Sequence, residues 1–195
     1  MSLLAKGSGN FEAAPIGPQQ AVCVFVEDIG SHRSTYKGEE HINHQIVMCF
    51  ELAAKMTIPE YAGKPFMLSQ FYTLSLGKKS NLSKDLESWF GKAIPEETRR
   101  TGFDLLTLKG RNCTLNVVEK MKADGDTVSA IGGIFPIMAG TPLIKPVNTV
   151  PPEWIQKKRL ESIEARGENM DQSRVGKDDT SEGFGAPQGD DDLPF

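Results

Sequence analysis

The chain has 195 residues, a length for one compact domain with appendages, and its hydrophobic share of 38% places part of it outside any packed core. Its charge is split: of 26 acids and 22 bases, ten and three fall from Glu161 onward, a net of −7, which leaves residues 1–160 with 16 and 19, a net of +3. No apolar run approaches a membrane span, Met1–Phe11 has no signal-type apolar stretch, and Cys23, Cys49 and Cys113 form no CxxC pair, so the expectation is a cytoplasmic protein with three reduced core cysteines and neither a disulfide framework nor a zinc site.

Residues 1–19, rich in Gly, Ser, Pro and Ala, read as an extended leader, with room for a short edge strand near Gly7–Phe11. Gln20–Ile29 (QAVCVFVEDI) is rich in β-branched residues and predicts the first strand, ended by Gly30 and Ser31. Ser31–Asn43 is polar and reads as a long mobile connection. Gln45–Ala53 is the second strand. Phe66–Leu76 is the third, with Phe66, Leu68, Gln70 and Tyr72 on one face and Met67, Ser69, Phe71 and Thr73 on the other.

The period then changes. Leu82, Leu86, Trp89 and Phe90 are spaced for a helix over Asn81–Phe90, which Ser80 or Asn81 can cap and Gly91 can end. Pro95–Arg100 predicts a second helical turn, with Glu96 and Glu97 at its start. Cys113–Met121 and Thr127–Pro136 are the fourth and fifth strands. A turn at Ala123–Asp126 joins them, and Gly132-Gly133 marks a bulge or bend. Four prolines follow between Pro142 and Pro152, and Glu153–Arg166 predicts a short helix whose Trp154 and Ile155 can dock on the sheet.

Three strands, a helix and two strands is the element order of an OB-fold, a small, partly open Greek-key barrel. The expected class is mainly β with one or two short helices. A five-stranded barrel occupies residues 20–140, with the leader over 1–19, a Pro-rich connector and short helix over 141–166, and a disordered acidic tail over 167–195.

Such barrels are a main scaffold for single-stranded nucleic acid, which needs aromatic faces for bases and cations for phosphates. Arg33, Tyr36 and Lys37 supply both between the first two strands. At the end of the third strand, one of Phe71 and Tyr72 must face outward, beside Lys78 and Lys79; Arg111, Lys120 and Lys122 are further phosphate candidates around the fourth strand. Trp89-Phe90 reads instead as a plug closing the barrel.

Rival chemistries fare worse. Gly77-Lys78-Lys79-Ser80 has the look of a P-loop end, but Tyr72 stands where the loop needs Gly and Lys79 where it needs Ser or Thr. His32, His41 and His44 read as solvent-exposed side chains rather than metal ligands. No Ser-His-Asp set or paired carboxylates can be nominated, so no enzyme and no cofactor is expected.

The last six residues, Asp190-Asp191-Asp192-Leu193-Pro194-Phe195, combine three hydrated carboxylates with two apolar groups that Pro194 holds apart. This is a ligand for a pocket with basic residues around an apolar hole. The tip resembles that of bacterial and phage single-stranded DNA-binding proteins, where a run of Asp precedes an apolar residue, Pro and Phe at the very end of the chain. The stretch Leu74–Phe90, and the later one from Phe103-Asp104-Leu105 to Asn116-Val117-Val118, are similar to phage proteins found near replication or recombination genes. The resemblance implies stoichiometric coating of single-stranded DNA and recruitment of replication, recombination and repair proteins through the tip, in a bacterial cell or infected host. Assembly with copies of itself is left open and no membrane is expected. The alternative is an OB-fold accessory factor that binds a protein while its acidic tail mimics DNA.

Overall fold

The computed structural model describes residues 12–36, 39–122 and 125–167. Its strands are β1 (Gly17–Tyr36), β2 (Glu39–Lys55), β3 (Pro65–Thr73), β4 (Asn112–Met121) and β5 (Thr127–Phe135). They form one antiparallel sheet in the order β3-β2-β1-β4-β5. Helices α1 (Asn81–Phe90) and α2 (Glu96–Thr101), with a 3-10 turn at Leu105–Leu108, lie between β3 and β4; α3 (Glu153–Leu160) follows β5. The fold is mainly β, with three helices where one or two were expected. No helix among the described residues is long and apolar enough to cross a membrane.

β1 organises the sheet. Gly17–Val22 pairs with β4 and Ala21–Tyr36 with β2, and register shifts between Cys23 and Phe25 and between Asp28 and Gly30 bend it on the way. The curl brings the edges β3 and β5 within 8 Å Cα–Cα, without a hydrogen-bonded ladder between them, and α1 packs on both. The sheet is therefore not closed. Gly132 is the extra residue where Asn116↔Gly133 gives way to Val117↔Ile131, and a Cβ there would stand 2.7 Å from Val118 Cγ1.

Alternation builds two apolar layers. Ala21, Cys23, Met48, Phe50, Leu52, Leu115 and Ile134 form the inner one with Leu82, Leu86 and Trp89 of α1. Ser80 caps α1 by accepting the Ser83 N–H at 3.1 Å, and Gly91 ends it in the left-handed region. Val22, Val24, Phe25, Ile29, Val47 and Cys49 point the other way and are buried too. A sheet buried on both faces reads as an uninterrupted apolar run, as AVCVFV and IVMCF do.

The second face is covered by the chain's own residues 142–164. The expected connector is therefore a structural layer. Gln20 Nε2 donates to Pro142 O at 2.7 Å, and Asn112 and Ile144 exchange two hydrogen bonds of 2.9 Å. The buried Glu51 carboxylate accepts the backbone N–H groups of Val147 and Asn148, each at 2.7 Å, and the Asn148 side-chain amide. Ile155 enters the apolar layer, the Trp154 ring lies 5.8 Å from that of Phe71, and Arg159 donates to Asp28 O at 2.9 Å. Ile163 N donates to Ser31 O at 2.9 Å beside Gly30, where a Cβ would meet Ser162 Cβ at 2.6 Å.

Four expectations need correction. The polar stretch Ser31–Asn43 is no loose connection: β1 and β2 stay paired from Ser31↔His44 to Tyr36↔Glu39. Past β3 and β4 it continues as a two-stranded ribbon with few apolar side chains, whose base at Ser31 is covered by Ile163 and Glu164. β1 starts at Gly17, and the leader's residues 12–16 are tied down: the Glu12 carboxylate accepts Thr57 N–H at 2.7 Å and Ser129 Oγ donates to Ala14 O at 2.9 Å. β3 ends at Thr73. The helix expected over Glu153–Arg166 stops at Leu160 and continues as turns. The suggested edge strand at Gly7–Phe11 and the tail from 168 lie outside the described residues.

Glu164 gives this cover a pH dependence. Its carboxylate accepts the Ser31 hydroxyl and the Ser31 N–H (2.9 Å for the latter), and these bonds hold its pKa down to about 2. A depressed carboxylate pKa stabilises docking fully above the free-chain value near 4.5 and progressively less as pH falls towards 2. The Ile163 amide NMR signal is expected to shift towards its undocked position across that window, and Glu164→Gln to abolish the transition. A pH-independent signal in the parent chain would remove Glu164 as the clasp.

Candidate nucleic-acid interface

The aromatic pair of β3 does not offer the platform the sequence promised. Tyr72 is 3% exposed and its hydroxyl donates to Asp85 Oδ2 at 2.7 Å, tying β3 to α1. Burial, with the Asp85 carboxylate second, pushes the phenol well above its usual pKa. Tyr72 is a core residue and cannot stack on a base. Phe71 does point to the other face, but Trp154 covers it there, leaving it half-buried. The parity along the strand was right; a layer built from the end of the chain closes the outward side.

The expected cations fall in separate places. Arg33 sits on the ribbon, 3.9 Å from Glu40. Tyr36 ends β1 at the ribbon's tip, with its side chain outside the described set, as is all of Lys37. Lys78 pairs with Glu96 of α2 at 2.6 Å, and Lys79 is exposed beside it. Lys120 and Lys122 lie at the far end of β4, which pairs with the start of β1, whereas the ribbon is the end of β1. The ribbon pair and the β4 pair are thus at opposite ends of the sheet.

Arg111 stands elsewhere, just before β4, with its guanidinium 5.3 Å from the centroid of Phe90. Here lies a cleft of about 550 Å³, between the C-terminal end of α1, the segment through α2 and the 3-10 turn, and the start of β4. Trp89 closes the floor: it is 4% exposed, its Nε1–H donates to Asn112 O at 3.2 Å, and its ring meets Phe50 edge-on at 5.7 Å. That is the expected plug. Phe90 is less deeply set: adjacent helical side chains diverge, so Phe90 packs on the rim of the core, partly buried, stacks on Trp89 at 6.1 Å and meets Phe103 edge-on at 5.9 Å. Phe90, Phe103 and Lys92 line the cleft and were not among the expected binding residues; the Trp-Phe adjacency was the available signal. The cleft is lined by two cations, Arg111 and Lys92, and by no carboxylate.

The fold also assembles a set that the sequence did not suggest. His44 Nε2 lies 2.9 Å from the Asp28 carboxylate and its Nδ1 lies 3.4 Å from Ser31 Oγ, an order reminiscent of Ser-His-Asp hydrolases. Ser31, however, is 3% exposed, sits inside a strand pair, and gives both its N–H and its hydroxyl to Glu164. A nucleophile needs access to a carbonyl carbon and donors for the oxyanion. The three residues instead fix the bend of β1, where Asp28 also accepts Gly30 N–H at 2.8 Å. His32 Nε2 lies 2.9 Å from Ile29 O, and the described residues contain no group of three or more His, Cys, Asp or Glu able to hold a metal. The three cysteines are free and buried; burial raises the Cys23 and Cys49 thiols to about 12 and pushes the Cys113 thiol up as well. Such thiols are neutral at physiological pH and poor nucleophiles.

Compared with known proteins, the chain matches no family model and no curated protein, so the functional reading rests on its own geometry and sequence.

Proposed function

We propose that the chain binds single-stranded DNA through an OB-type barrel and recruits DNA-processing proteins through Asp190–Phe195. The observation that carries this reading is the connectivity: a β1-β2-β3 meander whose bent first strand also pairs with β4, and a helix from the β3–β4 connection lying across the β3/β5 gap. This connectivity supports reading the sheet as a partly open Greek-key barrel of the OB type. The net charge of +3 on residues 1–160 suits a phosphate backbone, and the −7 of the remainder suits a tip that engages proteins rather than DNA.

A titration of labelled oligodeoxythymidylate followed by anisotropy tests the reading. Affinity is expected to fall with salt at a slope of about −0.7 in log K against log salt for each phosphate neutralised. Duplex of the same sequence is expected to bind more weakly. A flat salt response would remove the electrostatic basis of the proposal.

One observation favours the second reading, an accessory factor that binds protein. The outer face of β1-β2-β3, which OB-fold binders commonly use, is occupied by residues 142–164. Failure of the full chain to retain labelled oligonucleotide on nitrocellulose at low salt would decide for it.

A further inference from the structure

We propose that the cleft between α1, α2 and the start of β4 receives an unpaired nucleobase with its phosphate, held by Arg111, Phe90 and Phe103. The inference rests on the single-strand reading above and moves its binding site off the sheet face. That face is closed by an apolar layer of Val22, Val24, Phe25, Ile29, Val47 and Ile155, and its two partly buried rings, Phe71 and Trp154, are packed on each other 5.8 Å apart rather than turned to a ligand. Displacing the cover would bare this apolar surface to a charged ligand, so the strand must run elsewhere.

The cleft has the missing chemistry. A base is a flat apolar disc with a π face and a polar rim, followed by a phosphate. Phe90 and Phe103 present partly buried rings to the cleft, and the exposed Arg111 guanidinium lies over Phe90, an arrangement on which a base can layer while the charge reaches its phosphate. Lys92 adds a second cation on the α1 side, and no lining carboxylate opposes a polyanion. The volume of about 550 Å³ lies in the range of small-ligand pockets. A base within a duplex cannot enter, because its faces are already stacked; a base of a single strand can swing in at small cost. The site thus favours single strands by access as well as by charge.

The test uses the full chain with Trp154→Phe, which leaves Trp89 as the only tryptophan of the original two, stacked on Phe90 under the cleft. Oligodeoxythymidylate is titrated while anisotropy of a labelled end and Trp89 emission are read together. Binding is expected to change Trp89 emission in parallel with anisotropy. Arg111→Ala and Phe103→Leu are each expected to weaken binding by roughly 5- to 150-fold, the scale of one lost base stack, and to suppress the emission change. Lys157→Ala, an equal charge loss on the exposed side of α3, is expected to change affinity by far less. Arg111→Lys keeps the charge without the plane at an exposed position. It should lose much of the affinity while melting at the parent temperature, which keeps the test valid if Phe103→Leu folds poorly. Unchanged affinity in the Arg111 and Phe103 variants would overturn the cleft and leave single-strand binding standing. No binding by the parent chain at low salt would overturn both.

Discussion

Glu51→Ala is expected to destabilise the protein by about 2–4 kcal/mol, the largest loss we predict from a single polar side chain here. Glu51 is 1% exposed, and its carboxylate is the acceptor for Val147 N–H, Asn148 N–H and the Asn148 amide. Truncation removes the shared acceptor of three part-buried donors, and hydrogen bonds to a charged group are each worth more than neutral ones. Glu51→Gln keeps an acceptor oxygen in place but brings an NH₂ group with nothing to receive it, so its loss should be smaller, about 1–2 kcal/mol. Urea unfolding measures both. Hydrogen exchange at Val147 and Asn148 localises the damage, which should appear there before it appears in α1. If Glu51→Ala unfolds like the parent with these two amides still protected, the cover is held by its other contacts, Asn112 with Ile144, Ile155 in the apolar layer and Ser31 with Ile163 and Glu164. A chain loosened at this point would expose Val22, Val24, Phe25 and Val47 together and should aggregate on warming.

That second layer also shows where the sequence was legible. Local signals translated well. The Leu82-Leu86-Trp89 spacing with Ser80 and Gly91 gave α1 to the residue, because period and caps are written in adjacent positions. Gly132-Gly133 gave the bulge, because a residue without Cβ is needed against Val118. Non-local facts translated poorly. The parity of Phe71 and Tyr72 was readable, but not that Trp154, more than eighty positions later, covers one side. The apolar run from Ala21 to Val26 did carry the hint: a half-exposed antiparallel strand alternates, and this one does not. The ribbon was misread for the opposite reason. A strand pair with so few apolar side chains has the composition of a loop, and only Thr35, Tyr36 and Ile42 argue for extension. Phe90, Phe103 and Arg111 come from three separate pieces of chain, so their meeting could not be seen before the fold was in hand.

Removing Asp190–Phe195 is expected to have two effects that a single substitution can separate. The tip contributes three carboxylates to an end whose net charge is −7, while residues 1–160 carry +3. Its loss lowers the repulsion between protein and phosphate backbone, so affinity for oligodeoxythymidylate should rise. The rise should be clearest at low salt and vanish as the Debye length falls to about 3 Å near 1 M. The same deletion removes Leu193 and Phe195, the apolar groups a partner's pocket would hold, so capture of replication or recombination proteins should fail. Phe195→Ala keeps every aspartate. It should leave DNA affinity close to that of the parent while weakening partner capture by roughly 30-fold or more, the scale of an aromatic anchor lost from a desolvated pocket. Charge cannot substitute for that contact, because carboxylates gain little from an apolar hole and lose hydration on entering it. Equal capture by Phe195→Ala and the intact chain would reduce the tip to a solvating acidic end, and with it the recruitment half of the proposed function.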